Sequence, residues 1–172
     1  MDSKSNHNID ILVATAVDNA TRTGKPYEAI KTFDDACKHI GEDHQLVKAY
    51  RSIEDIDDAS FKAFVQLRII AEALNTFEKP GEHNYKPDFT LYLDYILDKM
   101  DYIEQLNCRM LRLDNHNTFY DVMGFDRARP AHHVFPEIPI ALTLNSENLA
   151  KYCGKRFIGI WRDFYFTRLN NN

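Results

Sequence analysis

The stretch NSENLAKYCGKRFIGIWRDF, residues Asn145 to Phe164, decides the fold. Ser146 is a residue type that caps helix N-termini, and the apolar residues after it recur at every third or fourth position, as on one face of a helix. These apolar residues are Leu149, Tyr152, Cys153, Phe157, Ile160, Trp161 and Phe164. The stretch therefore predicts one amphipathic helix, Ser146–Phe164, whose apolar face must be covered by the rest of the chain or by another protein.

Two glycines and a tryptophan predict how this helix packs. Gly154 and Gly159 each cost about 1 kcal/mol relative to alanine in a helix interior, so their presence suggests that another backbone approaches closely. Trp161 is the only tryptophan of the chain and stands on the apolar stripe. We expect it to be an anchor of the core.

Three further stretches predict helices that can pack against the C-terminal one. They are Thr32–Ile40 with Thr32 as the cap, a short helix within residues 43–53, and Ala59–Asn75 capped by Asp57 or Asp58. The apolar stripe of the last is wide, which predicts a central helix. Its members are Phe61, Phe64, Val65, Leu67, Ile69, Ile70, Ala71 and Leu74.

The middle of the chain gives weaker signals. EKPGEHNYKP, residues 78–87, is the clearest break, because proline and glycine interrupt regular structure. After it, apolar residues repeat in steps of four and three from Phe89 to Met110, which predicts one long helix from Thr90 to Leu111, with a β-hairpin within residues 91–113 as the alternative. The following segment holds three prolines and predicts irregular structure, with short extended pieces at Phe119–Val122 and Ile138–Leu144 and any strand at a sheet edge.

Length and composition bound the fold class. The chain has 172 residues, 44% of them hydrophobic, with only six glycines and six prolines. This favours helices and one real core. We predict an α+β fold that is predominantly helical: a single compact α-rich domain over residues 27–172 with a small irregular or β element, preceded by an N-terminal helical extension over residues 1–26. The extension carries an apolar stripe that includes Ile9, Leu12, Val13 and Val17.

Charge and hydropathy exclude some functions and leave others open. The net charge of −5 argues against a general binder of polyanions. The C-terminal part is locally basic, however, and its candidate basic face is Lys151, Lys155, Arg156 and Arg162. These residues either contact nucleic acid or an acidic partner, or simply coat the solvent side of a packed helix. No apolar run is long enough for a membrane span and no signal peptide is evident, so we expect no membrane association.

No catalytic, metal-binding or cofactor-binding motif is evident. His116, His132 and His133 are the one candidate metal set, but they lack the spacing of a zinc site. The three cysteines, Cys37, Cys108 and Cys153, have no CxxC pairing and are expected to be reduced, buried thiols. We expect no enzyme activity, no metal and no cofactor.

Four stretches occur in an order that resembles a known group of proteins. They are IKTFDDACKHIG (Ile30–Gly41), LRIIAEALN (Leu67–Asn75), YKPDF (Tyr85–Phe89) and LNSENLAKYCGKRFIGIWRDF (Leu144–Phe164). The pattern resembles small proteins encoded by phages and mobile elements of gut Bacteroides-type bacteria and covers about a third of the chain; the sequence departs from it between Leu91 and Thr143. The resemblance implies a phage or mobile-element origin and a shared α+β scaffold, and it implies no activity.

These observations favour a non-catalytic accessory protein of a phage or mobile element that acts through protein–protein contacts. Its partner is then a host or phage protein, or a second copy of the chain, in the host cytoplasm or in the virion. The N-terminal stripe Ile9, Leu12, Val13 and Val17 is the expected partner interface, because it lies outside the recurring scaffold. The alternatives are a structural or assembly component of the virion, and a nucleic-acid binder that uses the basic C-terminal helix.

Overall fold

The computed structural model describes residues 24–93, 99–101, 109–113, 122–131 and 139–166. The helices are α1 Phe33–Ile40, α2 Gln45–Ser52, α3 Ala59–Asn75, α4 Glu147–Arg156 and α5 Ile158–Phe166. The strands are β1 Tyr85–Tyr92, β2 Leu111–Arg112 and β3 Val122–Pro130, and 3-10 turns cover Pro26–Ala29 and Ile140–Leu142. The predicted α+β class, mostly helical with a small β element, is confirmed. The boundary predicted between residues 26 and 27 falls inside the first 3-10 turn, and the division into extension and domain stays a prediction.

The helix caps follow the local sequence. Thr32 accepts a hydrogen bond from the Asp35 N–H, and the Asp35 carboxylate accepts one from the Thr32 N–H, which forms a reciprocal capping box at the start of α1. Asp58 caps α3 by accepting from the Phe61 N–H at 2.8 Å, and Ser146 caps α4. All three predicted caps are confirmed.

Helix α3 is the centre of the helical layer. It packs against α1 and α2 on one side and against α4 and α5 on the other, as its wide stripe predicts. Most of its stripe is buried, including Leu67, Ile70 and Leu74. Phe61 is the exception: the stripe places it on the buried face, but its side chain is 44% exposed. This part of the prediction is wrong, because the periodic pattern continues into the first turn of α3, where Phe61 is left partly uncovered.

The C-terminal stretch forms two helices and not the single one that its periodicity predicts. Phe157 leaves the helical conformation, with φ −109° and ψ 26°, and separates α4 from α5. The break lies between Gly154 and Gly159, where helix propensity is weak. It allows α4 to cover β1 and β3 while α5 runs along α3, so one amphipathic stretch serves two surfaces of the core. Trp161 is 1% exposed, as expected of a core anchor.

The two glycines of this stretch differ in their surroundings. A Cβ at Gly154 would lie 2.5 Å from Cδ2 of Phe125 and 2.8 Å from Cβ of Pro87. A close approach is therefore present there, but side chains of the sheet make it and not the backbone that was predicted. A Cβ at Gly159 would meet nothing within 4 Å, so the expectation is wrong for Gly159.

The long helix predicted from Thr90 to Leu111 is wrong at both ends. Thr90 and Tyr92 belong to β1, which pairs antiparallel with β3, and Leu111 belongs to β2, which pairs with the start of β3. The segment YKPDFTLY is rich in aromatic and β-branched residues that suit a pleated surface, and this preference outweighs a heptad pattern that begins at Phe89. Residues 94–98 and 102–108, which hold much of the predicted seam, lie outside the described residues.

The proline-containing segments also differ from expectation. β3 is the central strand of the described sheet, in the order β1-β3-β2, and not an edge strand. Proline is tolerated because Pro130 is its last residue, while Pro87 stands in the edge strand β1. The extended piece predicted at Ile138–Leu144 is wrong: Ile140–Leu142 forms a 3-10 turn, and only Leu144 bridges to Tyr85. Of the piece at Phe119–Val122, the structure describes Val122 alone, as the start of β3.

Candidate protein-interaction surface

Large apolar side chains reach the surface at few places. In the ranges that the structure describes, only Ile56, Phe61 and Ile140 are both large and exposed, at 43%, 44% and 81%. Ile140 lies in the short 3-10 turn beside residues 132–138, which are not described. Ile56 and Phe61 lie together in segment 53–62, which joins α2 to the first turn of α3. This segment is therefore the principal apolar surface feature of the described chain.

Hydrogen bonds fold segment 53–62 onto itself. The Ile56 N–H donates to the Ile53 carbonyl at 3.0 Å, and the Phe61 N–H donates to the Asp58 carboxylate. The Lys62 Nζ donates to the Glu54 carbonyl at 3.3 Å. The turn before α3 is thus held against the first turn of the helix, and Ile56 and Phe61 are presented from one short, compact segment.

The apolar surface continues along α3 onto α5. Phe64 and Val65 follow Phe61 by three and four positions, so they neighbour it on the helix surface, and both are half-buried. The Phe64 ring stacks on the Phe164 ring, with centroids 6.1 Å apart, and Ser60 donates a hydrogen bond to the Phe164 carbonyl at 3.0 Å. We call Ile56, Phe61, Phe64, Val65 and Phe164 the apolar strip.

A buried aromatic cluster supports the strip from below. The Phe164 ring contacts Trp161 with centroids 6.1 Å apart, and Trp161 contacts Phe89 on β1 with centroids 5.5 Å apart. Aromatic pairs at these separations contribute about 0.5–1.5 kcal/mol beyond their burial. Phe64 and Phe164 are consequently the outer edge of a packed aromatic cluster.

Carboxylates surround the exposed end of the strip. Glu54, Asp55, Asp57 and Asp58 are all exposed. Glu54 pairs with Arg51 at 2.8 Å, and Asp58 is occupied as the cap of α3. Asp55 and Asp57, which flank Ile56 in sequence, form no hydrogen bond or ion pair with the part of the chain that the structure describes. Two carboxylates are therefore available beside the exposed apolar residues.

The predicted basic face is spread over two helices, and its members contact the chain itself. Lys151 pairs with Glu147, and Lys155 lies 5.5 Å from the centroid of the Phe125 ring. Arg156 donates to the Lys31 carbonyl at 2.7 Å, and Arg162 pairs with the adjacent Asp163 at 2.8 Å. These four side chains therefore already have contacts within the chain. Their role in binding nucleic acid stays a prediction.

The remaining predicted sites are mostly outside the described ranges. The N-terminal stripe Ile9, Leu12, Val13 and Val17 lies there, as do Cys108 and the three histidines His116, His132 and His133. Among the described residues, no group of three potential metal ligands comes together, and no helix is long and apolar enough to cross a membrane.

The two described thiols are buried and chemically quiet. Burial raises the pKa of Cys153 to about 12 and also raises the pKa of Cys37. A thiol nucleophile needs a lowered pKa, which favours the thiolate. Both side chains act as small apolar groups of the core, as expected.

The recurring stretches meet one another inside the domain. The Asn75 side chain accepts from the Asn145 N–H at 2.8 Å and donates to the Thr143 carbonyl at 3.0 Å, which joins the end of α3 to the start of α4. The Tyr152 hydroxyl donates to the Ile30 carbonyl at 2.9 Å, which joins α4 to the segment before α1. Residues of three of the quoted stretches are thus joined by hydrogen bonds.

The apolar strip was not predicted from the sequence. Phe61 continues the periodic pattern of α3, and only its position beside Asp57 and Asp58 signals that the first turn is exposed. Comparison of the chain with protein families, with curated proteins and with solved structures gives no match.

Proposed function

We propose that this is a non-catalytic accessory protein of a phage or mobile element, and that it acts by binding another protein through the apolar strip. The observation that carries the proposal is the concentration of exposed Ile56 and Phe61 beside the half-buried Phe64 and Phe164. Aromatic residues are enriched in protein interfaces, and a few such anchors supply most of the binding energy. The phage or mobile-element origin is supported by the sequence resemblance alone.

The strip has the properties of a preformed interface. The Phe164 ring contacts the buried Trp161 ring and the Phe64 ring stacks on Phe164, so a partner would not need to order these two rings at a large entropic cost. Phe61 offers a ring of which nearly half is exposed, and a partner would gain by removing it from water. The N-terminal stripe Ile9, Leu12, Val13 and Val17 stays a second predicted contact, and host cytoplasm or virion is the proposed location.

The two other candidate functions have less support. The nucleic-acid role rests on Lys151, Lys155, Arg156 and Arg162, whose contacts within the chain already account for them. A virion component would use the same strip to contact copies of itself or other virion proteins. Virion mass spectrometry separates this alternative from the accessory role.

The test uses paired variants of the full-length protein. Ile56→Gln with Phe61→Gln removes the exposed apolar groups, and Lys48→Gln with Glu72→Gln is the control at two exposed polar positions elsewhere. Proteins captured from phage-infected host cells are identified, purified and titrated against all three forms. We expect the strip variant to lose at least about ten-fold in affinity, as at an interface hot spot, while its melting temperature stays near that of the wild type.

Two results would contradict the proposal. One is a purified partner that binds the strip variant and the wild type equally. The other is an enzyme activity of the purified protein that both pairs of substitutions leave unchanged, since the protein would then act by catalysis and not by binding through the strip.

A further inference from the structure

We infer that the apolar strip receives a basic amphipathic segment of the partner protein, in which apolar side chains cover Ile56 and Phe61 while lysines or arginines meet Asp55 and Asp57. This inference rests on the proposed function and adds the chemical class of the partner. It is carried by the charges around the exposed end of the strip.

The carboxylates beside the strip are not balanced by neighbouring cations. Arg51 is shared between Glu54 at 2.8 Å and Glu42 at 3.6 Å, and the Lys62 ammonium reaches the Glu54 backbone carbonyl. Asp55 and Asp57 are exposed and flank the exposed Ile56 in sequence. A partner cation that approaches along this surface meets two exposed carboxylates, and dissolved salt screens the attraction.

The chain's own N-terminal segment does not fit this surface. Its predicted apolar stripe could cover the strip, but residues 9–20 contain Asp10 and Asp18 and no lysine or arginine. Like charges placed beside Asp55 and Asp57 repel. The charges of the N-terminal segment therefore make it a poor match for the strip.

A second copy of the chain is also a poor match. The exposed Lys38, Arg68 and Lys79 lie on α1, on α3 and after α3, so they form no single basic segment. The residues of the predicted basic face, Lys151, Lys155, Arg156 and Arg162, each already have a contact within their own chain. Using them would require breaking those contacts, for example the bond of Arg156 to the Lys31 carbonyl. The surface is best complemented by a foreign segment that carries free cations.

The experiment uses defined peptides and the full-length protein. Two amphipathic peptides of about four helical turns have the same leucine positions; one has lysine and the other glutamate at every polar position. Each is titrated into isotope-labelled protein, and binding is followed at the NMR signals of Ile56 and Phe61. We expect the lysine peptide to bind there, the glutamate peptide to bind much more weakly, and added salt to weaken the first.

A matched pair of variants separates local from overall charge. Asp55→Asn with Asp57→Asn should weaken the lysine peptide about five-fold, since it removes two exposed charge contacts. Asp34→Asn with Glu82→Gln changes the net charge equally at two distant exposed positions and should leave the affinity unchanged. Deletion of residues 1–20 should also leave it unchanged.

Each contrary result has its own meaning. Equal binding of both peptides at the strip, or equal weakening by both charge variants, overturns the basic partner while the protein-binding function stands. Binding that appears only after deletion of residues 1–20 shows that the chain covers its own strip and also overturns the inference. A purified natural partner that ignores Ile56→Gln with Phe61→Gln removes the proposed function itself.

Discussion

Trp161 and Phe61 stand on apolar helical stripes of the same kind, yet one is buried and the other is exposed. Trp161 is 1% exposed because α5 runs along α3 and β1 lies beneath it, with the Phe89 ring 5.5 Å away. Phe61 is 44% exposed, although Lys62 bonds the first turn of α3 to the turn before it and Ser60 bonds it to the end of α5. Periodicity identifies the apolar face of a helix, and only the neighbouring elements decide whether that face is covered.

The largest effect on stability is expected when the buried Trp161 is replaced. Trp161→Ala should lower the free energy of unfolding by about 3–5 kcal/mol, because it leaves a cavity at the centre of the aromatic cluster. Urea unfolding followed by circular dichroism measures the change. Unaltered stability would mean that Trp161 contributes to a surface, and the contrast with Phe61 would disappear.

A smaller loss is expected where the sheet meets α4. Gly154→Ala places a Cβ against Phe125 and the backbone-fixed ring of Pro87, which overpacks the contact and should cost about 1–3 kcal/mol. Gly159→Ala has free space around its Cβ and should be neutral or stabilise by up to about 1 kcal/mol. Thermal melts of the two variants make the comparison, and equal melting temperatures would contradict the close approach at Gly154.

The capping box of α1 predicts a pH effect. The hydrogen bond from Thr32 is the main cause that holds the pKa of Asp35 below its ordinary value. A carboxyl with a lowered folded pKa stabilises the protein above its unfolded pKa, about 3.9, and this contribution is lost as the pH falls through the folded pKa. Asp35→Asn should therefore cost about 1 kcal/mol at pH 7 and less in acid. Urea midpoints at pH 7 and at pH 3 test this, and a cost that grows in acid would refute it.

The smallest effect on stability is expected when the exposed Phe61 is replaced. Phe61→Ser removes a ring that is nearly half in water, so the free energy of unfolding should change by about 0.5 kcal/mol or less. The same variant should weaken partner binding strongly. A loss of stability comparable with that of Trp161→Ala would show that the ring is covered within the chain.

Local signals in the sequence predicted the helical part of the fold well. Thr32, Asp58 and Ser146 cap helices because their side chains bond to the adjacent backbone, an interaction that short sequence patterns capture. The burial of Trp161 and the central place of α3 followed from stripes that extend over several turns. These features depend on neighbours in sequence.

The β element and the candidate surface could not be predicted in the same way. β1 depends on pairing with β3, so that Tyr85 faces Pro130 across a long stretch of chain, and such pairing leaves little trace in local periodicity. The break at Phe157 depends on two surfaces that α4 and α5 cover separately. The exposure of Phe61 depends on where its neighbours end, which no pattern in α3 itself records.

Pro87 has a consequence for how other chains can attach. The outer edge of β1 is bonded to Leu144 at Tyr85, whose N–H and carbonyl are both used at 2.8 Å. Two positions on, the same edge carries Pro87, which has no N–H to donate. An incoming strand would therefore find no continuous row of backbone groups along this edge. Pro87 therefore disfavours the addition of a strand at this position of β1.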